Sequence, residues 1–243
     1  MVIKMIRRIL LTTVLAGLLL PVCAQDLFLG SFLMSFKSQQ TDINDVPLLW
    51  YVEQNSKGMR MMMEFQDEML QRGVSKRVIY DPADSSWTML LSMNNIKQGT
   101  RVKRAKLFRN EKNNHSLIIK QTADHKIIEG YDCRKIIAQS NNYVAEIWLT
   151  KELNFDLCHI YKLLSHCGMV SEFMRKGEWF FWQGAKGMIL EVTSRRTGSD
   201  EYYTLNISMI KQYKVDDKIF STNGFKISEI PEGQNCGVAV EEK

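Results

Sequence analysis

The sequence predicts an α+β fold, an antiparallel β-sheet packed on one main helix with shorter helical pieces beside it. Three observations carry this. From Leu48 to Met93 short apolar runs alternate with short polar turns, the spacing of a meander rather than of strands alternating with helices. Between Glu129 and Thr150 two strand-like runs flank Gln139-Ser140-Asn141-Asn142, which is a hairpin signal. After Asp156 the apolar residues Ile160, Leu163, Leu164, Cys167, Val170 and Met174 recur at helical spacing. They predict a helix over 156–176, capped by Asp156 and ended by Gly177.

The first 24 residues read as an address. Lys4, Arg7 and Arg8 precede an uncharged run from Ile9 to Leu20, and Val22 and Ala24 occupy the −3 and −1 positions of a cleavage site. This is a signal peptide, shorter than the ~20 apolar residues of a spanning helix. Cleavage after Ala24 predicts a single domain over 25–243, in the periplasm or secreted. Lipid attachment through Cys23, which would hold the protein at a membrane surface, is the weaker reading because Val22 stands where a small residue is wanted. Losing the leader removes three positive charges and no negative ones, so the formal +5 falls to +2. A nucleic-acid partner loses its main support with them.

In chain order, Leu27–Phe36 suits a first strand, and a polar loop runs from Lys37 to Pro47. Leu48–Val52 and Met59–Phe65 read as a strand pair about the turn Asn55-Ser56-Lys57-Gly58. Met59, Met61, Met63 and Phe65 fall on one face at period two, Arg60 and Glu64 on the other. Val74–Tyr80 and Trp87–Met93 follow, joined through Asp81-Pro82. The basic run Arg101–Arg109 reads as a solvated edge or loop. Strand character resumes at Ser116–Lys120 and His125–Glu129, and after the predicted helix at Met188–Arg195, Glu201–Val215 and Phe225–Ile230.

Little here asks for catalysis. Cys158, His159, His166 and Cys167 are suitable zinc ligands, but their spacing is not that of paired knuckles, and Cys167 lies on the apolar stripe. Adjacent residues of a helix do not face each other, so Cys158 and His159 make a poor nucleophile and base. The chain has no Gly-x-Ser-x-Gly elbow and no phosphate-binding loop. The expectation is no enzyme, no metal and no cofactor. Cys133, Cys158, Cys167 and Cys236 are disulfide candidates in an exported chain, with three pairings open.

What stands out is adaptable apolar bulk, with fourteen methionines and five tryptophans. Met59, Met61, Met63, Phe65, Trp87, Met89, Trp148, Leu163 and Leu164 are the candidate lining of an apolar site. For any one of them plain core is the commoner role; together they permit a sheet whose inner face holds an apolar ligand.

The segments Lys57–Met61, Asp81-Pro82, Ile128–Cys133, Ala145–Leu153 and Ile227–Gly233 resemble an uncharacterised domain-of-unknown-function family of exported Gram-negative proteins, over roughly Phe28 to Gly233. That family is similar to the periplasmic lipoprotein carriers and receptors of the LolA, LolB and LppX type. The resemblance implies a curved half-barrel of antiparallel strands, closed by helices, with an apolar cavity for acyl chains. Asp156–Gly187 departs from the compact pattern, as a lid or an insertion. No ligand-binding residue carries over by motif. The expected function is non-enzymatic binding of a lipid, a lipoprotein acyl chain or another hydrophobic ligand in the cell envelope. The alternative is a structural or protein-interaction module whose interior is filled by its own side chains.

Overall fold

A computed structural model of the chain describes residues 27–38, 47–102, 118–157, 160, 187–200 and 202–230. Their strands are β1 (Gly30–Ser38), β2 (Leu48–Asn55), β3 (Gly58–Phe65), β4 (Val74–Asp81), β5 (Ser86–Met93), β6 (Ile96–Val102), β7 (Ile118–Ile128), β8 (Tyr131–Gln139), β9 (Tyr143–Thr150), β10 (Met188–Arg196), β11 (Tyr202–Gln212) and β12 (Lys226–Ile230). A single helical turn, α1 (Glu68–Gln71), and a 3-10 turn at Asp217–Phe220 complete the described elements.

All twelve strands join one open sheet in the order β12-β6-β5-β4-β3-β2-β1-β11-β10-β9-β8-β7. Neighbours are antiparallel except β12 and β6, which run parallel. The expected α+β class is therefore wrong. Of the described residues 68% are strand and 6% helical, so the class is all-β, with no main helix among them. The helical period after Asp156 falls almost wholly on 158–159 and 161–186, outside the described residues; Ile160 within it is buried. The predicted leader, Leu163, Leu164 and most of the basic run lie outside as well.

The meander from Leu48 to Met93 is present as four consecutive antiparallel strands. The β8–β9 hairpin also forms, with Gln139 opposite Val144. The β7–β8 turn is tighter, since Ile128 pairs with Tyr131 and only Glu129 and Gly130 lie between. Both have positive φ, 51° and 85°, as a two-residue turn matching the strand twist requires. The centre of the sheet is the long-range pairing of β1 with β11. Gly30, at φ 146°, sits so close to β11 that a Cβ there would run into the Lys211 carbonyl.

Cross-strand partners share a face, so the register assigns every side chain. One face is apolar across the sheet: Phe32, Met34, Trp50, Val52, Met61, Met63, Val78 and Trp87, continued by Leu205, Val192, Ile147 and Ile136. The reverse face has a smaller cluster of Met62, Ile79 and Leu90 under Val215 and Phe220, from the segment that carries the chain from β11 to β12.

Candidate functional site

Period two places Met59, Met61, Met63 and Phe65 on the apolar face, where the register also puts Trp87 and Met89. Met61 and Met63 are fully in the core. Met63 lies opposite Trp50 on β2, and Trp50 opposite Phe32 on β1. The Trp50 and Phe32 rings stack at 6.5 Å and 17°. Phe155 meets Phe32 edge-on at 5.7 Å and Phe28 at 5.8 Å. It comes from the stretch after β9, in which Leu153, Phe155, Leu157 and Ile160 are all buried. Phe28 N–H donates to the Asn154 carbonyl at 3.1 Å, tying this stretch beside β1. The chain thus lays its own apolar residues on part of the apolar face.

Two polar groups on that face stand apart. The indole Nε1 of Trp50 and the hydroxyl of Ser194 are buried and have no hydrogen-bond partner. At the β5 end the face emerges into solvent. Trp87 is 4% exposed, while Met89, Leu91 and Met93 beyond it on the same face are 39%, 40% and 41% exposed. Ile96, opposite Met93 on β6, is 51% exposed.

Trp148 is on the reverse face, between its cross-strand neighbours Lys135 and Glu191. The Lys126 ammonium lies 4.3 Å from its ring centroid and donates to both Glu191 oxygens at 2.8 Å. Lys135 pairs with Glu146 at 2.8 Å, and that hydrogen bond raises its pKa. Trp148 therefore sits within an ion-pair cluster on the reverse face, while part of it packs against the main core. On the same reverse face Arg60 bonds Glu53 and Asp217 and stacks over Phe220 at 4.1 Å. Burial lowers the Arg60 pKa, but the two carboxylates outweigh it and raise the value.

Cys133 is a buried free thiol. Burial pushes its pKa up to about 11, so at neutral pH it is a protonated, unreactive side chain. Cys158, Cys167 and Cys236, with His159 and His166, lie outside the described residues. Among the described residues no three metal-ligating side chains gather, and no helix is long and apolar enough to cross a membrane.

The sequence reading missed the role of Glu129. Its carboxylate accepts from the Met209 backbone N–H at 2.8 Å. Met209 has φ 53° within an irregularity of β11, where the pairing with β1 slips. The Glu129-Gly130 dipeptide signals the turn, but no local pattern connects it to a strand so distant in sequence.

The family profile described as a domain of unknown function, DUF4412, matches residues 28–223. No curated protein matches the chain. Among solved structures, PNGF-II is similar with TM-score 0.40 and 14% identity, over 83% of this chain, which spans only 31% of PNGF-II. A DUF1329 family protein from Desulfovibrio piger is similar with TM-score 0.34 and 10% identity, over 81% of this chain and 91% of that one. A LolA superfamily protein from Nitrosomonas europaea is similar with TM-score 0.30 and 10% identity, over 82% and 91%.

Proposed function

We propose that this chain, which belongs to the DUF4412 family, is an exported, non-catalytic protein that binds a hydrophobic ligand, a lipid or an acyl chain, on the apolar face of its open sheet. The observation that carries the reading is the emergence of that face from the core. Met89, Leu91 and Met93 continue the row begun by buried Trp87, at 39–41% exposure. Apolar surface left in water forgoes ~25 cal/mol per Å2, and contiguous exposed apolar residues mark binding surfaces. Methionine suits the task, because its flexible thioether chain adapts to varied apolar shapes. The ligand is held by burial alone, and no bond is made or broken. The leader that the sequence predicts over 1–24 supports export, and the acyl chains of a lipoprotein are one ligand of this class.

The competing reading is a filled structural module, which the burial of Leu153, Phe155, Leu157 and Ile160 favours. Native mass spectrometry of protein gently purified from its own envelope separates the two. The carrier reading expects an adduct of lipid mass, lost when Met89, Leu91 and Met93 are all changed to Ser. Spectra of bare protein in both cases refute it and leave the filled module.

A further inference from the structure

We infer that the ligand carries a hydrogen-bond acceptor beside its hydrocarbon, an ester, amide or carboxyl carbonyl, and that the Trp50 indole N–H receives it. This rests on the proposed binding of a hydrophobic ligand and specifies its chemical class. A buried tryptophan ordinarily finds a partner for its N–H, and an unpaired buried donor is costly. Trp50 is 0% exposed and its Nε1 has no partner. Among the described residues, its neighbours on the apolar face offer no good acceptor. Its cross-strand neighbours are Phe32 and Met63, and its same-strand neighbours on that face are Leu48 and Val52. Only the Met63 sulfur has any acceptor character, and thioethers accept weakly. The described neighbours thus supply no good acceptor, and we assign that role to the ligand.

The surroundings suit such a guest. The Phe32 ring holds the indole by stacking, so the direction of the N–H is fixed before a ligand arrives. Met61 and Met63 lie on the adjacent strand, and each has three rotatable bonds that can make room. Reverse-face chemistry shows the contrast, because charged groups there are met by partners from the chain itself. A pure hydrocarbon would leave the Trp50 donor unsatisfied, whereas an acyl carbonyl would satisfy it without bringing a charge into the apolar interior.

The test compares two matched probes, methyl tetradecanoate and hexadecane, each displacing 1-aminoanthracene from the purified protein. The ester is expected to bind about fivefold more tightly, the equivalent of one neutral hydrogen bond of ~1 kcal/mol. Trp50→Phe keeps an aromatic side chain but removes the donor, and it should reduce the ester-to-hexadecane affinity ratio from about five to about one. In wild-type protein labelled with 15N at the indole, the Trp50 Nε1–H resonance should move downfield with the ester and not with hexadecane. This reading needs no variant that folds. Equal affinity for both probes, in wild type and variant, overturns the carbonyl inference but leaves hydrophobic binding intact. A Trp50 N–H already bonded to a buried water in the ligand-free protein also overturns it. Failure of both probes to bind overturns the inference together with the function proposed above.

Discussion

The two faces of the sheet treat polar atoms in opposite ways. On the reverse face Lys126 meets Glu191, Lys135 meets Glu146, and Arg60 meets Glu53 and Asp217. On the apolar face the Trp50 N–H and the Ser194 hydroxyl meet nothing. A face whose charges are matched from within needs no guest. The face that leaves donors unmatched, and runs into solvent as Met89, Leu91 and Met93, is the one to which the proposed ligand is assigned.

Three substitutions sharpen this contrast. The largest effect is expected from Phe155→Ala, which empties the aromatic contact with Phe28 and Phe32. A loss of about 3–5 kcal/mol in urea unfolding is expected for a fully packed phenylalanine. If a bound lipid restores much of that loss, Phe155 occupies space a ligand can fill; if lipid restores none, the stretch is ordinary core. Next is Arg60→Ala. It leaves the Glu53 carboxylate, 11% exposed, without its partner, and a loss of about 2–3 kcal/mol is expected, below the range for fully buried pairs because Asp217 is solvated. Ligand binding should be unaffected, since Arg60 is on the reverse face; lost binding would break the division of labour between the faces.

The smallest effect is confined to alkaline pH. The native Cys133 thiol keeps its proton up to about 11, while the unfolded thiol ionises near 9. Stability from this group is complete below about 9 and is lost as pH rises towards 11, because the unfolded state releases its proton first. Denaturant midpoints measured from pH 8 to 10.5 should fall less steeply in Cys133→Ala than in wild type. Parallel slopes would mean that the thiol does not sense its burial.

Much of the sheet was legible in the sequence because strand pairing between neighbours leaves local marks. Met59, Met61 and Met63 alternate with Arg60 and Glu64, and the register follows that alternation. The β8–β9 hairpin announces itself by four polar residues between two apolar runs. Other features arise only when distant segments meet. The side of the sheet taken by Trp148 depends on register, and its neighbours Lys126 and Glu191 come from strands far apart in sequence. In β10 the simple period of two fails locally because pairing with β9 slips between Ile189 and Glu191, and Ile189 and Leu190 are buried in succession. The α+β expectation erred for a different reason. A helical period after Asp156 reports what a segment favours by itself, whereas fold class depends on the elements that make up the body of the molecule, and among the described residues these are strands.

The pairing of β1 with β11 has a consequence for how the molecule comes into being. Every other antiparallel neighbour pair in the sheet, apart from the β9–β10 pair, is joined by a short connection, so those pairs can form as soon as their residues are free to meet. The β1–β11 ladder joins opposite ends of the described chain, and closing so large a loop gains nothing until both strands are in place. That ladder is what joins β1 to β6 with β7 to β11, and its formation makes the apolar face continuous. The continuous apolar face is therefore a late product of folding, complete only once β11 has paired with β1.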